Sequence, residues 1–313
     1  MSTPADVAEC MALLPAWLGL GADMRSRLPA LWARLADEPS VMSSVTEDLA
    51  MPAGSRILSW VVGMSLRPAL VEQLGLDATP EPCVVRRIYG ELLDGIYEPM
   101  RDREMGEANA AADLRLMSMH YDMKGRDFSE PLMQSLMVMG AESFRVGYSG
   151  YNVSAVYYEN TEFNEPWVLS NGFTRRAHAS PPRQDVPLGE RLRFYRVTRE
   201  EALATTPGSA VRHIFEHHPP LFRLSASQRR LLWLSLFDDN DETLRRRLTV
   251  STHGLKKLWR GIYERIQDQQ PDFFGDAAGD EDGKRGPEKR RQVLAYVRQR
   301  PEELRPWAAV AGP

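Results

Sequence analysis

The chain has 313 residues, 43% of them hydrophobic, enough for about two domains with substantial cores, and its composition excludes a disordered or low-complexity protein. Its formal net charge of -4 is uneven: residues 221–313 carry 18 Lys/Arg against 14 Asp/Glu, and the rest carry 21 against 29. Two cysteines, Cys10 and Cys83, are too few and too far apart for a disulfide framework or a cysteine metal site, so a reducing cytoplasm is the expected location.

In chain order, CMALLPAWLGLGA lacks a basic flank and is too short to span a bilayer, so it reads as a helix packed on the body. No other stretch is long and apolar enough for a membrane span, and no membrane partner is expected. PALWARLADEP places Leu31, Trp32 and Leu35 at helical spacing. SVMSSVTEDLA and SRILSWVVGMSL are β-prone runs joined by a turn at Pro52 and Gly54. PCVVRRIYGELLDGIY returns to helical periodicity through Val85, Ile88, Tyr89, Leu92 and Ile96.

ADLRLMSMHYDM alternates as a strand, and EPLMQSLMVMGAESF follows as a helix. FRVGYSGYNVSAVYYEN and PWVLSNGFTRRA then read as a second strand pair, with PPRQDVPLGE as a loop or strand connector. This order predicts a mixed α/β domain over residues 1–200 and a connector over 201–223. Tyr148 and Tyr151, in the most aromatic stretch, are candidates either to line a ligand pocket or to pack a strand pair with their hydroxyls at the rim.

Residues 224–268 divide into three helices. Ser225 caps the first, whose apolar stripe is Leu231, Leu232, Leu234 and Leu236. Asn240 caps the second, with Asp241 and Glu242 where the helix dipole favours negative charge. Ser251 caps the third, which turns Leu255, Leu258, Trp259, Ile262 and Ile266 to the core and Lys256, Lys257 and Arg260 outward. The short turn at Thr249 and Val250 is the spacing of a helix-turn-helix.

Over 43 ungapped residues this segment resembles the LuxR-type helix-turn-helix family. Leu224 and Ser225 match the family's opening Leu-Ser/Thr, Arg229 and the Leu231-Leu232 pair its first helix, and Leu248, Val250 and Ser251 its Leu-x-Ile-Ser turn. Lys256, Ile262 and Tyr263 match its Val-Lys and Ile-Tyr positions, while Gly254 replaces a usual Thr and Arg245 a usual Ala. The resemblance implies a transcription regulator that binds double-stranded DNA as a homodimer. Lys256 is the carried-over DNA contact, with His253, Lys257 and Arg260 as neighbours. The lysines would neutralise phosphate and Thr252, His253 or Arg260 would read base edges; the alternative is that they only solvate a helix exterior.

PDFFGDAAGDEDG marks an acidic linker within 269–286, and PEKRRQVLAYVRQRPEELRPW a further helix in 287–313 with Val293, Leu294 and Val297 as its stripe. Its KRR cluster either clamps a phosphate backbone or binds an acidic face of the same protein.

The N-terminal part resembles a GNAT-type N-acetyltransferase in its strand pair, following strand, helix and strand. That family's pyrophosphate loop, Arg/Gln-x-x-Gly-x-Gly/Ala, is replaced by MKGRDFSEP with the single Gly125. The expected fold class is therefore α+β: an N-terminal mixed α/β, GNAT-like domain followed by an all-α LuxR-type helix-turn-helix domain. The first would sense a small-molecule ligand or mediate dimerisation without catalysis; the alternatives are an acyl-CoA-dependent N-acetyltransferase and a non-DNA-binding interaction protein. His120, His213, His217 and His218 do not form a recognisable metal or acid/base signature, and no cofactor is expected.

Overall fold

A computed structural model describes residues 4–36, 38–125, 127–181, 185–207, 209, 211–237, 240–275 and 286–308. The N-terminal apolar run is not one helix. Helix α1 (Val7–Ala12) stops before Pro15, a short 3-10 turn covers Ala16–Leu18, and Gly19 adopts φ +59°. Cys10, Leu13, Leu14, Leu18 and Leu20 are buried, so the segment does pack on the body.

Helix α2 (Ala22–Leu35) buries Leu31, Trp32 and Leu35 as its spacing predicts. Strands β1 (Val41–Glu47) and β2 (Ile57–Leu66) pair antiparallel, in register from Val41 opposite Met64. Two helices absent from the sequence expectation, α3 (Pro68–Leu74) and α5 (Asp102–Ala110), flank α4 (Val84–Leu93). In α4, Val85, Ile88, Tyr89 and Leu92 are buried, but Ile96 is 71% exposed because the helix has ended and Gly95 turns the chain at φ +69°.

Strand β3 (Leu114–Met123), helix α6 (Pro131–Tyr148) and strand β4 (Val153–Thr161) follow in the expected order. Helix α6 extends far enough to take in Tyr148, which the aromatic pattern had assigned to a strand. The expectation of a strand across PWVLSNGFTRRA is corrected. Pro166 opens helix α7 (Glu165–Ser170), since a proline lacks the amide that the first helical turn does not need. Only β5 (Thr174–Arg176) beyond Gly172 is extended; β6 (Leu192–Thr198), which the sequence reading did not identify, pairs with it.

These strands form one sheet in the order β1-β2-β3-β4-β6-β5, antiparallel except for β3 and β4, which are parallel and joined through α6. A parallel pair needs a crossover of this kind. Alternation divides the sheet's two faces: Trp60, Val62 and Met64 of β2 join one core with α2 and α4, whereas Val61 joins the other with Leu114, Leu116 and Tyr148. Helices α8 (Arg199–Leu203) and α9 (Arg212–Phe215) lie in the expected connector, yet Ala202, Val211, Ile214 and Phe215 are buried in that second core.

A separate all-helical core unites α10 (Ala226–Ser235), α11 (Asp241–Leu248), α12 (Thr252–Gln269) and α13 (Gly286–Gln299) around Leu231, Leu244, Ile262 and Val293. Within the expected acidic linker, Pro271–Phe274 form a 3-10 turn that buries Phe274, and residues 276–285 lie outside the described residues. The last expected helix ends at Gln299; Pro301–Leu304 form another 3-10 turn, and Arg305 to Ala308 continue without helix. The fold is thus mixed α/β with a helical C-terminal part.

Candidate nucleic-acid interface and apolar cleft

Local chemistry builds the α10-α11-α12 unit. The Ser225 hydroxyl accepts the Gln228 amide while the Gln228 side chain accepts the Ser225 amide, forming a reciprocal capping box. Asn240 Oδ1 accepts the Glu242 amide at 2.9 Å and the Thr243 amide at 3.4 Å. Thr249 takes φ +55° and ψ 45°, closing α11 in the left-handed region, and the Val250 amide donates to the Arg245 carbonyl at 3.1 Å.

Ser251 Oγ then accepts the Gly254 amide at 3.0 Å. Helix α12 runs unbroken through Gly254, where an added Cβ would meet the Val250 Cβ at 3.3 Å. The glycine therefore lets the turn pack closely on the first turn of α12. Arg245 is half-buried and bonds Glu242 at 2.8 Å.

Thr252, His253, Lys256, Lys257 and Arg260 are all exposed. At roughly 100° per residue they occupy a sector of about 140° that flanks the buried stripe. The buried stripe is Leu255, Trp259, Ile262 and Ile266. The basic side chains cluster in the first three turns; Glu264 and Asp268 follow farther along α12. Exposed Arg246 and Arg247 lie in the last turn of α11, where the helix dipole favours cations.

The KRR cluster turns partly inward. Arg290 Nη1 is 2.7 Å from Asp241 Oδ1 and its guanidinium lies 4.7 Å from the Trp259 ring centroid, tying α13 to α11 and α12. Lys289 sits 5.0 Å over Phe274, and Arg291 pairs with Glu288.

The second feature lies where β3 and β4 separate. Their pairing ends at Ser118 opposite Tyr158, and beyond it β3 continues against β2 while β4 continues against β6. A cavity of about 80 Å³ opens there between α6 and α7, bounded by Val61, Tyr121, Phe144, Tyr158, Trp167 and Ile214. It adjoins a surface groove of about 550 Å³ along Phe128, Val138, Phe163 and Trp167.

Gly140 permits this arrangement, since a Cβ there would fall 2.6 Å from the Tyr121 ring. Tyr121 donates to the Leu136 carbonyl at 2.6 Å and stacks with Trp167 at 6.2 Å between centroids. Burial pushes the Tyr121 phenol up to about 12, so it stays protonated near neutral pH. Asn160 donates to the Tyr158 hydroxyl. The lining is therefore mainly aromatic and apolar, joined by the Glu142–Arg145 ion pair, and suits a small, largely apolar group.

Tyr148 and Tyr151 are not in this lining. Tyr148 is buried beside Gly63, and Tyr151 lies 4.6 Å under the Arg305 guanidinium. Strand alternation aims Tyr158 at the cleft and Tyr157 at the opposite face, where it donates to Asp77 at 2.6 Å. The sequence signal was the aromatic density; which tyrosine faces the cleft depended on strand pairing.

At the start of α6, Asp127 accepts the amide and hydroxyl of Ser129, which hold its carboxyl below the usual range. Glu130 occupies the N-cap and Pro131 removes one amide. Two acidic side chains here oppose a bound pyrophosphate.

His120 is buried, with Nε2 2.9 Å from the Tyr89 hydroxyl, and His217 Nδ1 lies 3.1 Å from the Gly150 carbonyl. Among the described residues no group of three or more His, Cys, Asp or Glu could hold a metal ion, and no helix is long and apolar enough to cross a membrane. The chain matches no family model, no curated protein and no solved structure in the comparisons made.

Proposed function

We propose that the protein is a DNA-binding transcriptional regulator of the LuxR type, acting as a cytoplasmic homodimer, with α12 as its recognition helix. The observation that carries this reading is the fully capped α11-turn-α12 unit with Thr252, His253, Lys256, Lys257 and Arg260 exposed together on one sector. Lys256 and Lys257 neutralise phosphate; Thr252, His253 and Arg260 reach base edges. The N-terminal domain serves as the sensor, and its ligand is a small, largely apolar molecule seated between α6 and α7.

A GNAT-like ancestry for the sensor is favoured by the single parallel pair β3-β4, its α6 crossover and the divergence of the two strands. An acyl-CoA-dependent N-acetyltransferase is the second reading on that ground, but Asp127 and Glu130 stand where its pyrophosphate would bind. The regulator reading predicts salt-sensitive enrichment of one sequence from a pool of short duplexes, lost in the Lys256→Ala, Lys257→Ala double variant. No enrichment at any salt, together with saturable acetyl-CoA binding, would replace it with the enzyme reading.

A further inference from the structure

We propose that the C-terminal segment Pro301–Ala308 is a latch that transmits the state of the α6-α7 cleft to the helix-turn-helix, with Arg305 as its holding residue. The inference rests on the cleft being the sensor's ligand site and α12 the DNA-reading helix.

Helix α6 forms the cleft wall through Gly140, Ala141 and Phe144. At its C-terminal end, the Val146 carbonyl accepts from Arg305 Nη2 at 2.9 Å and the Ser149 carbonyl from Arg305 Nε at 2.8 Å. The same guanidinium lies 4.6 Å from the Tyr151 ring centroid and 5.3 Å from that of Trp233 in α10. One helix and one side chain thus separate the cleft from the first helix of the DNA-binding unit.

Neighbouring contacts align the segment. Glu303 accepts the Leu221 and Phe222 amides at 2.8 and 3.0 Å, fixing the chain that leads into α10. Asn109 of α5 donates to the Pro306 carbonyl at 2.8 Å, and Trp307 stacks on His217 at 5.5 Å. Arg229 of α10 also reaches Asp102 of α5 at 2.5 Å, a direct clasp between the two parts.

Arg305 is only 7% exposed, yet carbonyls and ring faces hold it, with no carboxylate partner among the described residues. The dipole at a helix C-terminus favours a cation there. A buried charge held this way loses its stabilisation when two carbonyls shift, because hydrogen bonds weaken steeply with distance and angle. A ligand that wedges α6 outward therefore loosens Arg305 and frees α10 from the sensor.

The test uses the full chain and hydrogen exchange, which needs neither a known ligand nor DNA. Ala141→Phe fills the cleft from α6; Ala141→Leu is the smaller substitute if the first does not fold. Arg305→Gln removes the latch charge. The latch predicts that either substitution alone raises amide exchange in residues 226–235 by about tenfold, leaving α2 and α4, in the core on the other face of the sheet, at their original rates. Combined, they produce no further rise in α10.

Unchanged exchange in α10 on filling the cleft, or effects that multiply independently in the double variant, would overturn the coupling. DNA affinity measured on the same proteins separates the two ideas. Failure to bind any duplex sinks the regulator reading, whereas the exchange rates still decide whether the latch couples the two parts.

Discussion

The Ser251 hydroxyl accepts the Gly254 amide proton at 3.0 Å, at the point where the turn hands over to α12. This cap satisfies one of the amides that the first helical turn leaves without an intrahelical acceptor. Ser251→Ala is expected to destabilise the helical C-terminal part by about 1 kcal/mol. Urea unfolding checks it, and a midpoint equal to that of the parent protein would remove the cap from the account.

Lys256 and Lys257 are exposed in the first two turns of α12. If each releases one counterion on DNA, replacing both with alanine reduces the slope of log affinity against log salt by about 2. Weaker binding with an unaltered slope would mean that neither lysine touches phosphate. His253→Ala is instead expected to change which duplex is selected.

His120 is buried against Tyr89, Trp32 and Trp60, and burial pushes its pKa down to about 3 from an ordinary 6.5. The folded protein thus resists a proton that the unfolded chain accepts. Its contribution to stability is present above about pH 6.5 and is lost as pH falls towards 3, with a total on the order of a few kcal/mol. Replacing His120 with Gln should flatten the acid limb of a stability-pH curve. An identical limb would assign the acid sensitivity to other groups.

Gly150 adopts φ +84°, and a Cβ there would lie 2.4 Å from the backbone nitrogen of Glu302. Gly150→Ala therefore combines left-handed strain with a backbone clash, and we expect it to destabilise by more than about 1–2 kcal/mol. Proteolysis should then cut residues 216–224 faster, because the tail that holds that connector is displaced. Wild-type resistance at this site would contradict the packing of Glu302 on Gly150.

Much of the helical C-terminal part was legible because its signals are local. Ser225, Asn240 and Ser251 cap helices whose stripes have a 3.6-residue period, and each satisfies groups within three residues of itself. Strands β1, β2 and β3 were likewise readable from alternation and β-branched content. PWVLSNGFTRRA misled because a short apolar run fits either a strand or a helix, and Pro166 together with packing of Val168 selected the helix.

The candidate cleft and the latch were not legible in the same way. By itself the sequence determined the segments and caps of the α10-α11-α12 unit and the basic, outward sector of α12, since these follow from spacing along one chain segment. Only the tertiary structure decided that Tyr121 and Tyr158, not Tyr148 and Tyr151, line the cleft, and that Arg305 bridges α6 and Trp233. The physical reason is range: caps and periodicity act within a few residues, whereas a cleft between diverging strands and a bridge of 156 residues in sequence, from Arg305 to Ser149, arise from packing.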